Sequence, residues 1–167
     1  MAVREVLLYP DPRLKSPCHI VAEADGACDA LIQDLVDTMY GAGHSVGVAA
    51  PQIGVLQRVA VVDVSASRQG RHNHHGLLTM INPTILQRSG TMTLREGCMS
   101  VPDYTGNVAR AEEILVQFLD RNGRPRAIRC RGFEAVAVQH ELDHLDGRLF
   151  LDRITSLKTD LFRRKRP

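Results

Sequence analysis

Near the end of the chain the stretch VQHELDHLDG, Val138 to Gly147, sets two histidines four residues apart with a glutamate beside the first. On a helix, residues four apart carry their Cβ atoms about 5–6 Å from each other on one face, so His140 and His144 can converge on a single ion. Glu141 stands one step round that helix, within reach of a water on the ion without ligating it. The periodicity supports the helix. From Phe133 onward Val136, His140 and His144 fall on one line, and Gly147 is placed as a C-terminal cap. The motif is short, and the alternative is a surface helix whose histidines are merely polar. If it binds metal, the fold must bring another donor to that face, and this requirement constrains the rest of the chain.

A catalytic metal usually has three protein ligands and one open position. After His144 the chain holds no further His or Glu, and Asp146, Asp152 and Asp160 are its only carboxylates. Upstream, REGCMSVP, Arg95 to Pro102, offers Cys98 beside Gly97 and before Pro102, in a stretch that can turn sharply and expose a thiol. A buried free cysteine is the alternative there. Cys18, Cys28 and Cys130 are widely spaced, and a chain of 167 residues does not need disulfides to build a core, so reduced thiols acting as small apolar residues are expected.

With 44% hydrophobic residues the chain can form one domain over residues 1–167 that removes roughly 70% of its unfolded surface from water. A formal charge of +2 gives no general argument for nucleic acid or membrane binding, no apolar run is long enough to span a bilayer, and a soluble cytoplasmic protein is expected. The local exception is the basic tail Arg163, Arg164, Lys165 and Arg166, read as a solvated, partly frayed terminus, or else as a site for ribosomal RNA.

Apolar residues at Cys28, Leu31, Ile32, Leu35, Val36 and Met39 predict a helix between Gly26 and Tyr40, with Asp25 as N-cap. RVAVVDV, Arg58 to Val64, reads as a buried strand, and Ser65 to Gly76 as a loop in which His72, His74 and His75 are solvent exposed. Glu112 to Gly132 reads as a hairpin turning at Asp120 to Gly123. Thr155 to Phe162 is expected to form a short C-terminal helix. Strands that precede a helix without regular alternation indicate an α+β fold.

Three separated blocks, SVGVAAPQIG at Ser45 to Gly54, EGCMSVP at Glu96 to Pro102 and QHELDHLDG at Gln139 to Gly147, together resemble the peptide deformylase family. LLYPDPRL, MINP and RLFLDRI elsewhere in the chain are similar to it as well. The resemblance implies antiparallel or mixed β-sheets packed around a central metal-binding helix, with an N-terminal and a C-terminal helix. It implies a monomer that removes the formyl group from the N-terminal formylmethionine of nascent peptides. It assigns Cys98, His140 and His144 to one divalent metal, typically Fe2+, replaceable by Zn2+, Ni2+ or Co2+. One thiolate and two imidazoles suit iron or zinc alike.

Within that implied reaction a cation lowers the pKa of water, Glu141 acts as base and then acid, and Gln52 with the backbone N–H of Met99 stabilises the oxyanion. Val46, Gly47 and Gly97 are expected to line an extended peptide, the glycines allowing close approach, and Val136 to line the methionine pocket. Glu96 and Asp143 are candidates to fix the second nitrogen of each histidine, or to pair with Arg110. Met99 stands where relatives more often carry leucine, and Thr105 where some carry a basic residue. A metallopeptidase or other amidase with the same helix, and a silent peptide-binding paralogue, are the alternatives. The basic tail is expected to dock on the ribosome.

Overall fold

The computed structural model describes residues 2–164. Its first helix, α1 (Gly26–Gly41), begins where expected: the Asp25 carboxylate accepts the Cys28 N–H at 2.9 Å. Strands β1 (Gly47–Ala49), β2 (Val59–Val62), β3 (Leu78–Ser89), β6 (Glu113–Leu119) and β7 (Pro125–Arg131) form one antiparallel sheet in the order β1-β2-β3-β6-β7. A second antiparallel sheet has the order β4-β5-β8, from β4 (Met92–Cys98), β5 (Val101–Arg110) and β8 (Leu161–Arg163). Helix α2 (Gly132–Leu145) carries the His-Glu-x-x-His stretch.

The apolar run in β2 is explained by cover on both faces of the larger sheet. Val59 and Val61 join Leu31, Ile32, Leu35, Val36 and Met39 of α1. Ala60 and Val62 point the other way, to Ala135, Val138, Leu142 and Leu145 of α2. Beyond α2 a third cluster gathers Cys98, Val101 and Val108 with Leu14, Leu149 and Phe150. The helix therefore has apolar packing on more than one side. Every residue from Glu134 to Leu145 is buried, so the surface-helix alternative does not hold.

The end of α2 is fixed by the N-terminal segment. Cys18 donates its N–H to the Leu145 carbonyl at 2.9 Å, and Arg58 reaches the same carbonyl at 3.1 Å, which supplies donors to a carbonyl that the helix end leaves without an intrahelical partner. Gly147 then turns with φ +75°, and a Cβ there would stand 2.7 Å from the Lys15 carbonyl oxygen.

One expected element differs. Thr155 to Phe162 is not a helix: after turns, Leu161–Arg163 pairs with β5, setting Tyr104 against Arg163, Thr105 against Phe162 and Gly106 against Leu161. Arg95 stacks its guanidinium 3.6 Å above the Phe162 ring, and the Asp103 carbonyl accepts the Arg164 N–H at 2.7 Å. The tail is thus paired as far as Arg164, and Lys165 and Arg166 lie outside the described residues.

Gly147→Ala should cost about 1–3 kcal/mol, since it combines a positive φ with a backbone clash. A lowered urea midpoint with an unchanged slope would register it.

Candidate active site

Cys98 ends β4, just before the Met99–Ser100 turn into β5, and His140 and His144 lie one turn apart on α2. Their donor atoms all fall within 4.8 Å of one another, and Cys98 Sγ is 3.4 Å from His144 Nε2. The fold thus brings Cys98 beside the two histidines.

The polar groups behind the donors form a chain. Arg110, at the end of β5, grips Glu96 with two nitrogens at 2.5 and 2.9 Å and Asp143 with a third at 2.9 Å. Glu96 Oε1 also lies 2.8 Å from His140 Nδ1. An ionised carboxylate can only accept, so this contact places the proton on Nδ1 and leaves Nε2 free to ligate. Asp143 binds Arg153 as well, at 2.8 and 3.0 Å, rather than a histidine. Of the two carboxylates considered for orienting the rings, Glu96 does so and Asp143 does not, while both pair with Arg110. Phe150 stacks on the His140 ring with centroids 6.3 Å apart.

The cysteines separate by environment. Burial pushes the Cys18 thiol up to about 11 and raises Cys28 and Cys130 too. Burial also opposes ionisation of Cys98, yet His144 and His140 outweigh it and hold this thiol well below its ordinary value. Burial raises the carboxyl of Glu141, with His140 and His144 partly opposing. Glu96 remains below its usual value because hydrogen bonds from His140 and Arg110 exceed the effect of burial.

Gln52 sits in a tight turn after β1, where its Oε1 accepts the Ala49 N–H at 3.0 Å. Its Nε2 reaches Ser100 Oγ at 3.0 Å and Cys98 Sγ at 3.4 Å, so the amide is aimed at the sulfur. A cleft of about 310 Å³ opens onto this cluster, and its lining includes Val46, Gly47, Gln52, Gly97, Cys98, Met99, Val136, His140 and Glu141. His144 lies behind this lining. The two glycines have partners that the sequence did not suggest. A Cβ on Gly47 would come within 2.7 Å of Glu141 Oε2, and a Cβ on Gly97 would collide with the guanidinium of Arg164. Each missing side chain makes room for another residue of this chain.

Sequence reasoning did not find Ser100, the central position of Arg110 or the approach of Arg164. The histidine loop is exposed as expected at His72, His74 and His75, but His75 is also tied down. Its Nδ1 is 2.5 Å from Glu134 Oε1, and its N–H donates to Oε2 at 2.6 Å. His75, Cys130 and Glu134 form a second compact group of donor atoms. The short nitrogen–oxygen distance is that of a hydrogen bond.

Comparison with known proteins gives the family. Residues 3–160 match the family model described as polypeptide deformylase. The chain belongs to the polypeptide deformylase family. It is 43% identical to the peptide deformylase of Thermodesulfovibrio yellowstonii over 165 residues, covering 99% of this chain and 97% of that one. It is 46% identical to that of Alkalilimnicola ehrlichii, covering 99% and 89%. Among solved structures, peptide deformylase from Ehrlichia chaffeensis in complex with actinonin superposes with a TM-score of 0.87 at 36% identity, covering 95% of this chain and 92% of that one. The Legionella pneumophila enzyme gives 0.85 at 40% identity, covering 94% and 89%. As a deformylase-family member the chain is a hydrolase, and its family implies a divalent metal.

Two substitutions probe the site. Arg110→Met leaves Glu96 and Asp143 buried without their shared cation and should destabilise the fold by about 3–5 kcal/mol, read from urea unfolding. Gly47→Ala should leave the fold intact by circular dichroism but displace the Glu141 carboxylate, lowering kcat by about 100-fold.

Proposed function

We propose that this chain, from a family that removes the N-formyl group from nascent peptides, does so at one divalent metal held by Cys98, His140 and His144, with Glu141 moving the proton. The observation that carries this reading is the convergence of those three donors beside a buried carboxylate oxygen, Glu141 Oε1, that has no hydrogen-bond partner among the described residues. An orphaned buried acceptor costs about 1–3 kcal/mol, and a water or substrate in the cleft would supply its partner. The donor set also fits a metal: a thiol held low and an imidazole whose Nδ1–H is engaged by Glu96 both present lone pairs to the same space.

When bound, a divalent ion supplies Lewis acidity, lowering the pKa of water and polarising the formyl carbonyl. Glu141 takes one proton from the attacking water, whose oxygen bonds to the formyl carbon. As the carbon–nitrogen bond breaks, Glu141 returns that proton to the departing amine, and formate and a free amino terminus result. A raised carboxyl is suited to both transfers near neutral pH. The Gln52 amide and the Met99 N–H supply hydrogen bonds to the oxyanion.

Topology supports an extended peptide. β1 and β4 are edge strands of their sheets, and both line the cleft, so a substrate strand can add to either edge through Val46, Gly47 and Gly97. Val136, with Leu94, Met99 and Phe133, gives an apolar wall suited to methionine. We assign Fe2+ as the resident ion, with Zn2+, Ni2+ or Co2+ as substitutes. The protein is proposed to be a cytoplasmic monomer with a single catalytic domain. No helix among the described residues is long and apolar enough to cross a membrane. Ribosome docking through the basic terminus remains part of the proposal; unchanged co-sedimentation with ribosomes at low salt after deletion of the last basic residues would count against it.

The deciding experiment is anaerobic purification with metal analysis, then formate release from a formyl-Met dipeptide. One bound iron per chain, loss of turnover on chelation and a loss of at least about 100-fold in Glu141→Ala are expected. Retained turnover in that variant would remove the assigned base.

A further inference from the structure

The reaction just described gives no task to Arg164, which lines the cleft. Arg164 follows β8, on the edge of the three-stranded sheet farthest from β4, yet its side chain crosses β5 and meets Gly97 of β4. Its backbone is held by the Asp103 carbonyl, and the methyl of Thr105 lies beside the same point, 3.5 Å from where a Gly97 Cβ would stand. The guanidinium lines the cleft one residue from the metal-ligand candidate Cys98.

We infer that Arg164 forms an anion subsite at the mouth of the cleft, which takes a peptide carboxylate downstream of the methionine: an acidic side chain or a chain-terminal carboxylate. The substrate assignment rests on the deformylase reading above. Two carboxylates line the cleft, and neither occupies this guanidinium: Glu96 is committed to Arg110 and His140, and Glu141 is buried against Gly47. Among the described residues no ion pair is formed with Arg164. Arg95, also in the lining and held over Phe162, adds a second positive charge on the same rim. A half-buried guanidinium with its donors unspent fits a carboxylate in a planar, two-pronged geometry. A peptide running along the free edge of β4 passes Gly97 and so passes this group.

The test is equilibrium binding of product-like peptides to the full-length, nickel-loaded protein by calorimetry. Met-Asp-Ala-amide and Met-Ala-Asp-amide are compared with their asparagine counterparts, and Met-Ala-Asn-amide with its free acid. At least one carboxylate peptide should bind about three- to tenfold tighter than its neutral partner. Tighter binding by the aspartate peptides alone assigns the side chain, and by the free acid alone the terminus. The preference should vanish in Arg164→Ala, survive in part in Arg164→Lys, and shrink in the wild type as salt is raised. A wild type without preference, or a preference untouched by Arg164→Ala or by salt, overturns the subsite. The formylated versions of these peptides are assayed in parallel. Absence of formate from all of them would remove the deformylase reading while leaving a measured anion preference in place.

Discussion

The arrangement depends on a buried cation, Arg110, which makes it possible to place acidic and basic side chains on a helix that runs through the core. Glu96 and Asp143 would each be costly to bury as lone charges. Joined through one guanidinium, and extended to His140 at one end and Arg153 at the other, they become a fixed scaffold that ties β4, β5, α2 and the segment after it. The ring of His140 is held on one side by this chain and on the other by Phe150. A side chain so restrained would lose little freedom on binding an ion, and the contact with Glu96 sets its tautomer beforehand.

The same economy of space appears at the glycines. Gly47 is small because Glu141 needs the volume, and so the short β1 strand helps to position the catalytic carboxylate candidate as well as forming a sheet edge. Gln52 is fixed by the turn it helps to make: one end of its amide closes on Ala49, which turns the other toward Cys98 and Ser100. Local backbone geometry and the chemistry of the cleft are thus set by the same side chains.

Much of this was readable from residue order. The Asp25 cap, the α1 stripe, the Asn122-Gly123 hairpin and the spacing of His140 and His144 are local signals, and local signals report on local structure. Cys98 could be singled out because the sequence after His144 offers no third imidazole or glutamate. Arg110 was only one possible partner among several, because its role arises from residues on three elements that the linear order does not bring together. The C-terminal segment misled for a related reason. Thr155 to Phe162 has helix-compatible spacing, but Phe162 finds Arg95 and the segment's end finds the open edge of β5, and these tertiary contacts outweigh a weak propensity. Arg164 was hidden within a run of basic residues, whose composition says nothing about which member turns inward.

That ending has a practical corollary for handling the protein. Because Arg164 follows β8 and lines the cleft, this last strand of the described chain shapes the doorway as well as closing a sheet edge. A truncation that removed β8 would strip the doorway of Arg164 and uncover β5, whereas the segment before α1 is held to that helix at a separate place, through Arg4 and Asp34.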